Sequence, residues 1–399
     1  MASIYGRCRP RTHEVQRAEN LAAPAWVRYR VVMGKRVCFG GLLIVVAACG
    51  GQVGTDPVAS SDGVAAPQRE GDQGLYQPAS TGPEHIADGV GAPSAIVMTD
   101  DRVVFTTHNT MIGGELVAAG GLFVADKRVG PALLISADRQ GASFDALATD
   151  GTTAFVATSD RRVLGTPVAG GATTTLGTLE APAVTLSTFG NYVYFATNAG
   201  KVARVAKAGG IVEPLATITG AIRGLQADDV AVYVATGAAE ETPAGIVRVP
   251  LDGSAVKVLT AGGEPCAMIR DGRRLFWTSL TAPASTDATK LGKGEVLRLS
   301  LDGGEVATVA SGAFSACAIA ADQDSLYFAT TVPNALPVKS GDATGAPTSG
   351  LGLMRAPIAG GQPVAIAEAA RALAQPGAVA VDATHVYWLT QSAVLRLEK

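Results

Sequence analysis

Seven stretches of this chain follow one plan. Each opens with a short segment of small and apolar residues, makes a tight turn, and continues as a β-branched and aromatic segment that closes on Thr or Ser. They are Ser94–Thr107 (SAIVMTDDRVVFTT), Phe144–Thr158 (FDALATDGTTAFVAT), Ala183–Thr197 (AVTLSTFGNYVYFAT), Gly224–Thr236 (GLQADDVAVYVAT), Cys266–Ser279 (CAMIRDGRRLFWTS), Cys317–Thr330 (CAIAADQDSLYFAT) and Gly377–Thr390 (GAVAVDATHVYWLT). After a loop of variable length comes a third segment, such as IVRVPLDG, VLRLSLDG or LMRAPIAG. A Gly-containing turn then leads to a fourth, such as AVKVLTAG, EVATVASG or PVAIAEAA. Short runs rich in Val, Ile, Phe, Tyr and Trp, punctuated by turn residues, read as strands. The 48 glycines agree with this. Inside helices each would cost about 1 kcal/mol relative to Ala, whereas tight turns use glycine freely.

Four strands per unit, with units about 40–55 residues apart, is the period of a propeller blade. The expected fold is all-β, a seven-bladed β-propeller of four-stranded antiparallel blades spanning residues 83–399. The first strand of each unit is rich in Ala, Gly and Val, which suits the crowded axis. The second carries the aromatic residues, Phe276, Trp277, Tyr327, Phe328, Tyr387 and Trp388 among them, which suits packing between blades better than a sugar-stacking stripe. A recurring Asp (Asp100, Asp150, Asp228, Asp271, Asp322, Asp382) precedes the first turn, where a carboxylate can accept backbone N–H groups. The third unit has Thr188-Phe189-Gly190 there instead. The last unit stops after three strands, at Ala393–Lys399, while Pro83–Val90 (PEHIADGV) is a surplus strand before the first unit. The surplus strand is expected to complete the last blade, so that both termini share one blade and no edge is left open.

The N-terminal residues carry an address. Lys35 and Arg36 precede an apolar run from Val37 to Ala48, too short to span a membrane, which needs about 20 residues. The run ends in Val46-Ala47-Ala48-Cys49, which resembles a bacterial lipobox with Cys49 as the lipid acceptor. On this reading residues 1–32 are an upstream extension, Met33 is the start, 33–48 form a signal peptide, and 49–82 hold the lipidated Cys49 and a Gly/Pro/Ser-rich linker. Gly50 in place of Asp favours the outer membrane under the enterobacterial sorting rule. The expected location is therefore the cell envelope, with the body facing the periplasm or the surface.

VYWLT, LFWTS and LYFAT resemble degenerate YWTD/NHL-like propeller repeats. The pattern GG-x-P-V-x-x-A followed by A-V-A-V-D-x-T-x-V-Y-W is similar to repeats of DUF5050-like bacterial lipoproteins. The resemblance implies a fold and leaves function open, because propellers bind, scaffold and catalyse alike.

Function is expected in the loops between second and third strands, which share one face of the ring, here called the top. They are longer in blade one (His108–Gly120), blade four (Gly237–Ala244), blade five (Leu280–Gly294) and blade six (Thr331–Gly350). The candidate ligand-binding residues are His108, Asn109, Glu240, Glu241, Asp287, Lys290, Asn334, Lys339 and Asp342, centred on blades four to six. No catalytic residue and no metal site is assigned. The histidines of the repeat region, His85, His108 and His385, fall at different places in it, no G-x-S-x-G turn is present, and no Cys/His cluster has zinc-ligand spacing. Cys266 and Cys317 open the first strands of adjacent blades. They are either a disulfide between the two blades or two inert thiols; the bridge requires Cα atoms within about 7 Å, which neighbouring inner strands are expected to strain. A net charge of -3 offers no basic face for nucleic acid. The expected molecule is a monomeric, membrane-tethered binding or scaffolding propeller without a cofactor, engaging a protein, peptide or glycan. The alternatives are a lyase or hydrolase of an envelope polymer, or a structural envelope protein with no discrete ligand.

Overall fold

In the computed structural model, the described residues are 82–399 except 113–114, 119, 129–130, 138–141, 241, 281–293, 302–303, 313–314, 333–349, 369–377 and 391. Seven four-stranded antiparallel sheets form a ring, a seven-bladed β-propeller, and no helix occurs among the described residues. The innermost strands are Ala92–Met98, Phe144–Thr149, Ala183–Phe189, Ile222–Ala227, Pro265–Asp271, Ser315–Ala321 and Val379–Val381. In blades one to six the chain steps outward from the innermost strand in sequence order, each strand pairing antiparallel with the one before it.

Blade seven is built from both ends of the domain. Its outer strand, Glu84–Asp88, pairs antiparallel with Ala393–Glu398, the last strand of the chain, with Glu84 opposite Arg396 and Asp88 opposite Ala393. The Arg396 guanidinium grips the Glu84 carboxylate, with Nε–H donating at 2.8 Å. Ile86 of that strand is 2% exposed, packed in a cluster with Val103 and Phe105 of blade one and Tyr387, Leu389 and Val394 of blade seven. The closing strand thus joins blade seven to blade one as well as completing a sheet.

The core lies between blades. Second-strand aromatics Phe105, Phe155, Phe195, Phe276, Trp277, Tyr327, Phe328, Tyr387 and Trp388 are buried. Side chains at alternate positions along an inner strand serve opposite neighbours: Ala146 and Ala148 pack toward blade three, Leu147 toward blade one. Each fully buried aromatic or aliphatic side chain contributes about 1.5–3 kcal/mol.

The turns after the inner strands divide into two kinds. In blades two, four, six and seven the Oδ1 of Asp150, Asp228, Asp322 and Asp382 accepts the N–H groups two and three residues on. Blade one uses Thr99 in this place, its Oγ1 accepting the Arg102 N–H at 3.0 Å, and Asp100 is the exposed residue after it. The expected role of Asp100 is therefore taken by its neighbour, whose hydroxyl also caps an N–H. Asp271 does not cap either. It pairs with Arg274 across a two-residue hairpin in which Gly272 has φ 54°, the arrangement that Gly190 (φ 55°) makes in blade three. A glycine in the left-handed region closes those two turns without a carboxylate.

Candidate functional site

The two faces of the ring are built differently. On the bottom, three of the turn carboxylates are tied into the neighbouring blade. Lys207 of blade three reaches Asp150 of blade two at 2.9 Å, and Lys127 of blade one reaches Asp382 of blade seven at 3.0 Å. Lys399 of blade seven reaches Asp322 of blade six in the same way. In blades four, six and seven a tyrosine from the second strand donates to the other carboxylate oxygen: Tyr233 to Asp228, Tyr327 to Asp322, Tyr387 to Asp382, at 3.0–3.1 Å. Burial pushes the Asp150 carboxyl up, but the Lys207 ammonium and the N–H groups of Thr153 and Thr152 outweigh it and hold the pKa down to about 2. The Asp382 carboxyl is likewise held well below its usual range, burial being outweighed by the Thr384 N–H and Lys127. Burial and the adjacent carboxylate push the Tyr327 phenol up to about 12.

The double-glycine turns between third and outer strands are tied in as well. Gly210 N–H of blade three donates to Leu176 O on the outer strand of blade two, and Gly361 N–H of blade six to Val309 O on that of blade five, both at 3.0 Å. These turns are occupied by contacts within the molecule.

On the top, six inner strands share one irregularity. In blades one to six the pairing of first and second strands skips a residue near the start of the inner strand. The extra residues are Ser94, Asp145, Val184, Arg223, Cys266 and Cys317. Such a bulge releases a residue from the alternation that buries its neighbours, so these six positions stand at the rim of the central opening. Val184, Arg223 and Cys317 are exposed; Ser94, Asp145 and Cys266 are half-buried. Ser94 Oγ bonds Thr106 Oγ1 and, at 3.4 Å, Phe144 O of the next blade. Asp145 Oδ1 accepts the Ser143 hydroxyl at 2.5 Å. The His108 ring lies beside it, Nδ1 to Oδ1 4.0 Å.

The terminal Thr of the second strands has a fixed task. Thr107, Thr158, Thr197 and Thr390 are buried, and each hydroxyl oxygen accepts a backbone N–H at the start of the third strand: Gly121, Arg162, Lys201 and Ala393. These hydroxyls fix where the top loops leave the scaffold.

Of the sequence-derived candidates, His108 and Asn109 are at the top of blade one, where Asn109 Oδ1 accepts the Gly120 N–H at 2.6 Å. The loop they begin contains a two-stranded hairpin, Thr110–Ile112 with Glu115–Ala118, a feature without a counterpart in the repeat pattern. Glu240 is exposed in the blade-four loop, beside a bridge between Ala239 and Thr242. The ring places blades one and four apart, so His108 and Glu240 do not form one site. Glu241, Asp287, Lys290, Asn334, Lys339, Asp342 and Cys49 lie outside the described residues. His85 pairs with Asp88 on the closing strand, and His385 contacts Thr384 in a bottom turn. Asp145 and Arg223 were missed as rim residues. The signal was present: aligning the repeats gives a column of unlike residues before an otherwise small, apolar strand. Among the described residues no cluster of three His, Cys, Asp or Glu could hold a metal ion.

Cys266 and Cys317 are joined by a disulfide, with Cα atoms 4.9 Å apart. The expected strain on spacing does not arise. Both are bulge residues near the starts of adjacent inner strands, and their spacing falls inside the limit of about 7 Å.

No family profile and no curated protein matches the chain. Solved structures do. YCF48 bound to D1 peptide superposes with TM-score 0.56 at 12% identity, over 82% of this chain and 98% of that one. The Cps50 (Swd1) β-propeller domain of Myceliophteria thermophila gives 0.54 at 9%, over 77% and 98%. The Niastella koreensis GH74 enzyme gives 0.58 at 13%, over 79% of this chain and 53% of the enzyme. At these identities the likeness is one of fold. The structures with this fold include a peptide complex and an enzyme.

Proposed function

We propose that the chain is a cell-envelope lipoprotein, tethered through Cys49, whose propeller binds a protein or peptide partner through its top face without catalysis. The inequality of the faces carries this reading. The bottom turns are short, and those described above are bound to neighbouring blades by Lys–Asp pairs and double-glycine turns. The top carries all the variation in loop length, a rim of unlike side chains including Asp145 and Arg223, and a hairpin extension in blade one. Loop variation on a rigid scaffold is the usual setting for recognition. The second-strand aromatics are used between blades, which leaves polar and charged rim groups for contact and favours a polypeptide over a stacked sugar. YCF48, of the same fold, is known in complex with a peptide, which supports the class of partner.

The test is in-cell crosslinking followed by quantitative mass spectrometry. Asp145→Arg with Arg223→Asp on the top is compared with Asp229→Lys with Asp324→Lys on the bottom, each in the full chain and each checked for an unchanged melting temperature. The top pair is expected to reduce the crosslinked partner at least about tenfold while the bottom pair retains it. Equal recovery from both variants would reject the top-face reading. Separately, Cys49→Ser is expected to release the protein from the membrane fraction.

A further inference from the structure

We infer that Cys266–Cys317 is a thiol-exchange site on the rim, open to low-molecular-weight dithiols in the folded protein, and not a staple on which the ring depends. Three observations lead there. First, the bridge is accessible: Cys317 is exposed and Cys266 half-buried, both at bulge positions that stand clear of the packed blade faces. Exposed disulfides are the labile ones, whereas structural bridges are shielded.

Second, blades five and six are held together below the bridge without it. Phe276, Val296, Val309 and Ala310 of blade five pack with Ala316, Ile319, Leu326 and Phe328 of blade six, all buried. Gly361 N–H bonds Val309 O, and Arg298 Nη1–H reaches Ile358 O at 3.5 Å, tying the same two blades further out. The strand beside Cys266 is pinned by its own blade, since the Ala267 N–H donates to Thr278 Oγ1 at 3.1 Å. Third, other adjacent inner strands are bridged by hydrogen bonds where these two have the disulfide: Ser94 Oγ to Phe144 O, Thr188 Oγ1 to Thr149 O, and Gln226 Nε2 to Met268 O. A covalent link is therefore not what this geometry requires for closure.

The exchange balances as follows. A thiolate of the dithiol attacks Sγ of Cys317, the Sγ–Sγ bond breaks, and Cys266 leaves as a thiolate that takes a proton. The second thiol of the reagent attacks the mixed disulfide and releases Cys317. The bridge gains two electrons and two protons, and the dithiol is oxidised to its cyclic disulfide. The product carries two thiols on the face assigned above to recognition, although the inference does not depend on that assignment.

The experiment uses the purified full chain isolated without reductant. It is treated with dithiothreitol in native buffer, alkylated, and mapped by mass spectrometry at Cys266 and Cys317, with circular dichroism and amide hydrogen exchange recorded in parallel. The expected result is near-complete alkylation of both cysteines within minutes, at a rate proportional to dithiothreitol, with the folded spectrum retained. Hydrogen exchange is expected to rise at residues 265–269 and 315–319 and to stay unchanged at 84–88 and 393–398. Three results would overturn the inference: both cysteines alkylated before reduction, reduction only at denaturant concentrations that unfold the ring, or loss of the folded spectrum on reduction. Cys266→Ser with Cys317→Ser is the second arm; it is expected to fold with the exchange pattern of the reduced protein, and failure to fold counts against the inference.

Discussion

At the scale of single residues, the sequence showed that an Asp belongs after the inner strand, and the structure shows what else it does. Asp150, Asp322 and Asp382 each cap their own turn and bind a lysine from the next blade. The lysines were illegible because their partners are in another repeat and no local spacing links them. Since Asp150 has a folded pKa near 2 against an ordinary 3.8, the folded state favours its charged form. Its contribution to stability is therefore complete above about pH 4 and is lost as the pH falls through about 2. Asp150→Asn is expected to lower the melting temperature at pH 6 and to converge with the parent between pH 4 and pH 2. Melting curves by circular dichroism across that range check this, and parallel curves would contradict it. Arg161 offers the opposite kind of test. It has φ 71°, the one non-glycine residue with positive φ among those described, at the turn where blade three has Gly200 with φ 80°. A side chain in the left-handed region costs about 1–2 kcal/mol, offset in part by the entropy of a glycine in the unfolded chain. Arg161→Gly is expected to stabilise by about 0.5–1 kcal/mol, read as a higher denaturation midpoint.

At the scale of strands and turns, the repeat was legible because the period-two pattern and the turn residues recur in each blade. The closing strand was legible by subtraction, one strand missing at the end and one spare at the start. The rim was legible only as a column of unlike residues across the aligned repeats, because a bulge changes pairing by one residue and leaves the composition of any single strand almost unaltered. Blade five illustrates the limit. Its Asp271 matches the turn column by eye, yet Gly272 makes a shorter hairpin possible and the carboxylate is left to Arg274. The double-glycine turns carry a consequence for the outer strands, whose free edges would otherwise invite pairing with another chain. Gly209 and Gly210 have φ 84° and 137°, and the Gly210 N–H occupies Leu176 O of the neighbouring outer strand. Gly210→Ala is expected to cost about 1–3 kcal/mol through backbone strain. It is also expected to raise hydrogen exchange at residues 174–178, the outer strand of blade two. A variant as stable as the parent, with unchanged exchange there, would remove this role.

At the scale of the whole molecule, blade seven is completed by a non-local pairing whose two halves lie more than three hundred residues apart in the sequence. Glu84–Asp88 must find Ala393–Glu398 before blade seven exists, and before blade one has a complete neighbour. Two deletions separate the closing strand from what precedes it. Removing residues 1–82 leaves the strand, its Arg396–Glu84 pair and the buried Ile86, so the melting temperature is expected to match the parent within about 1 °C. Removing residues 1–91 takes all three away. Loss of the buried Ile86 side chain alone is worth about 2–3 kcal/mol. It also leaves Ala393–Glu398 as an unpaired edge of alternating apolar residues, a surface that recruits other strands. That protein is expected to melt at least about 5 °C lower and to elute as a dimer or larger species in size-exclusion chromatography. Adding a synthetic peptide of residues 83–91 is expected to restore the monomer by filling the vacant slot. If the shorter protein stays monomeric and melts with the parent, closure by the shared blade is not what holds the ring.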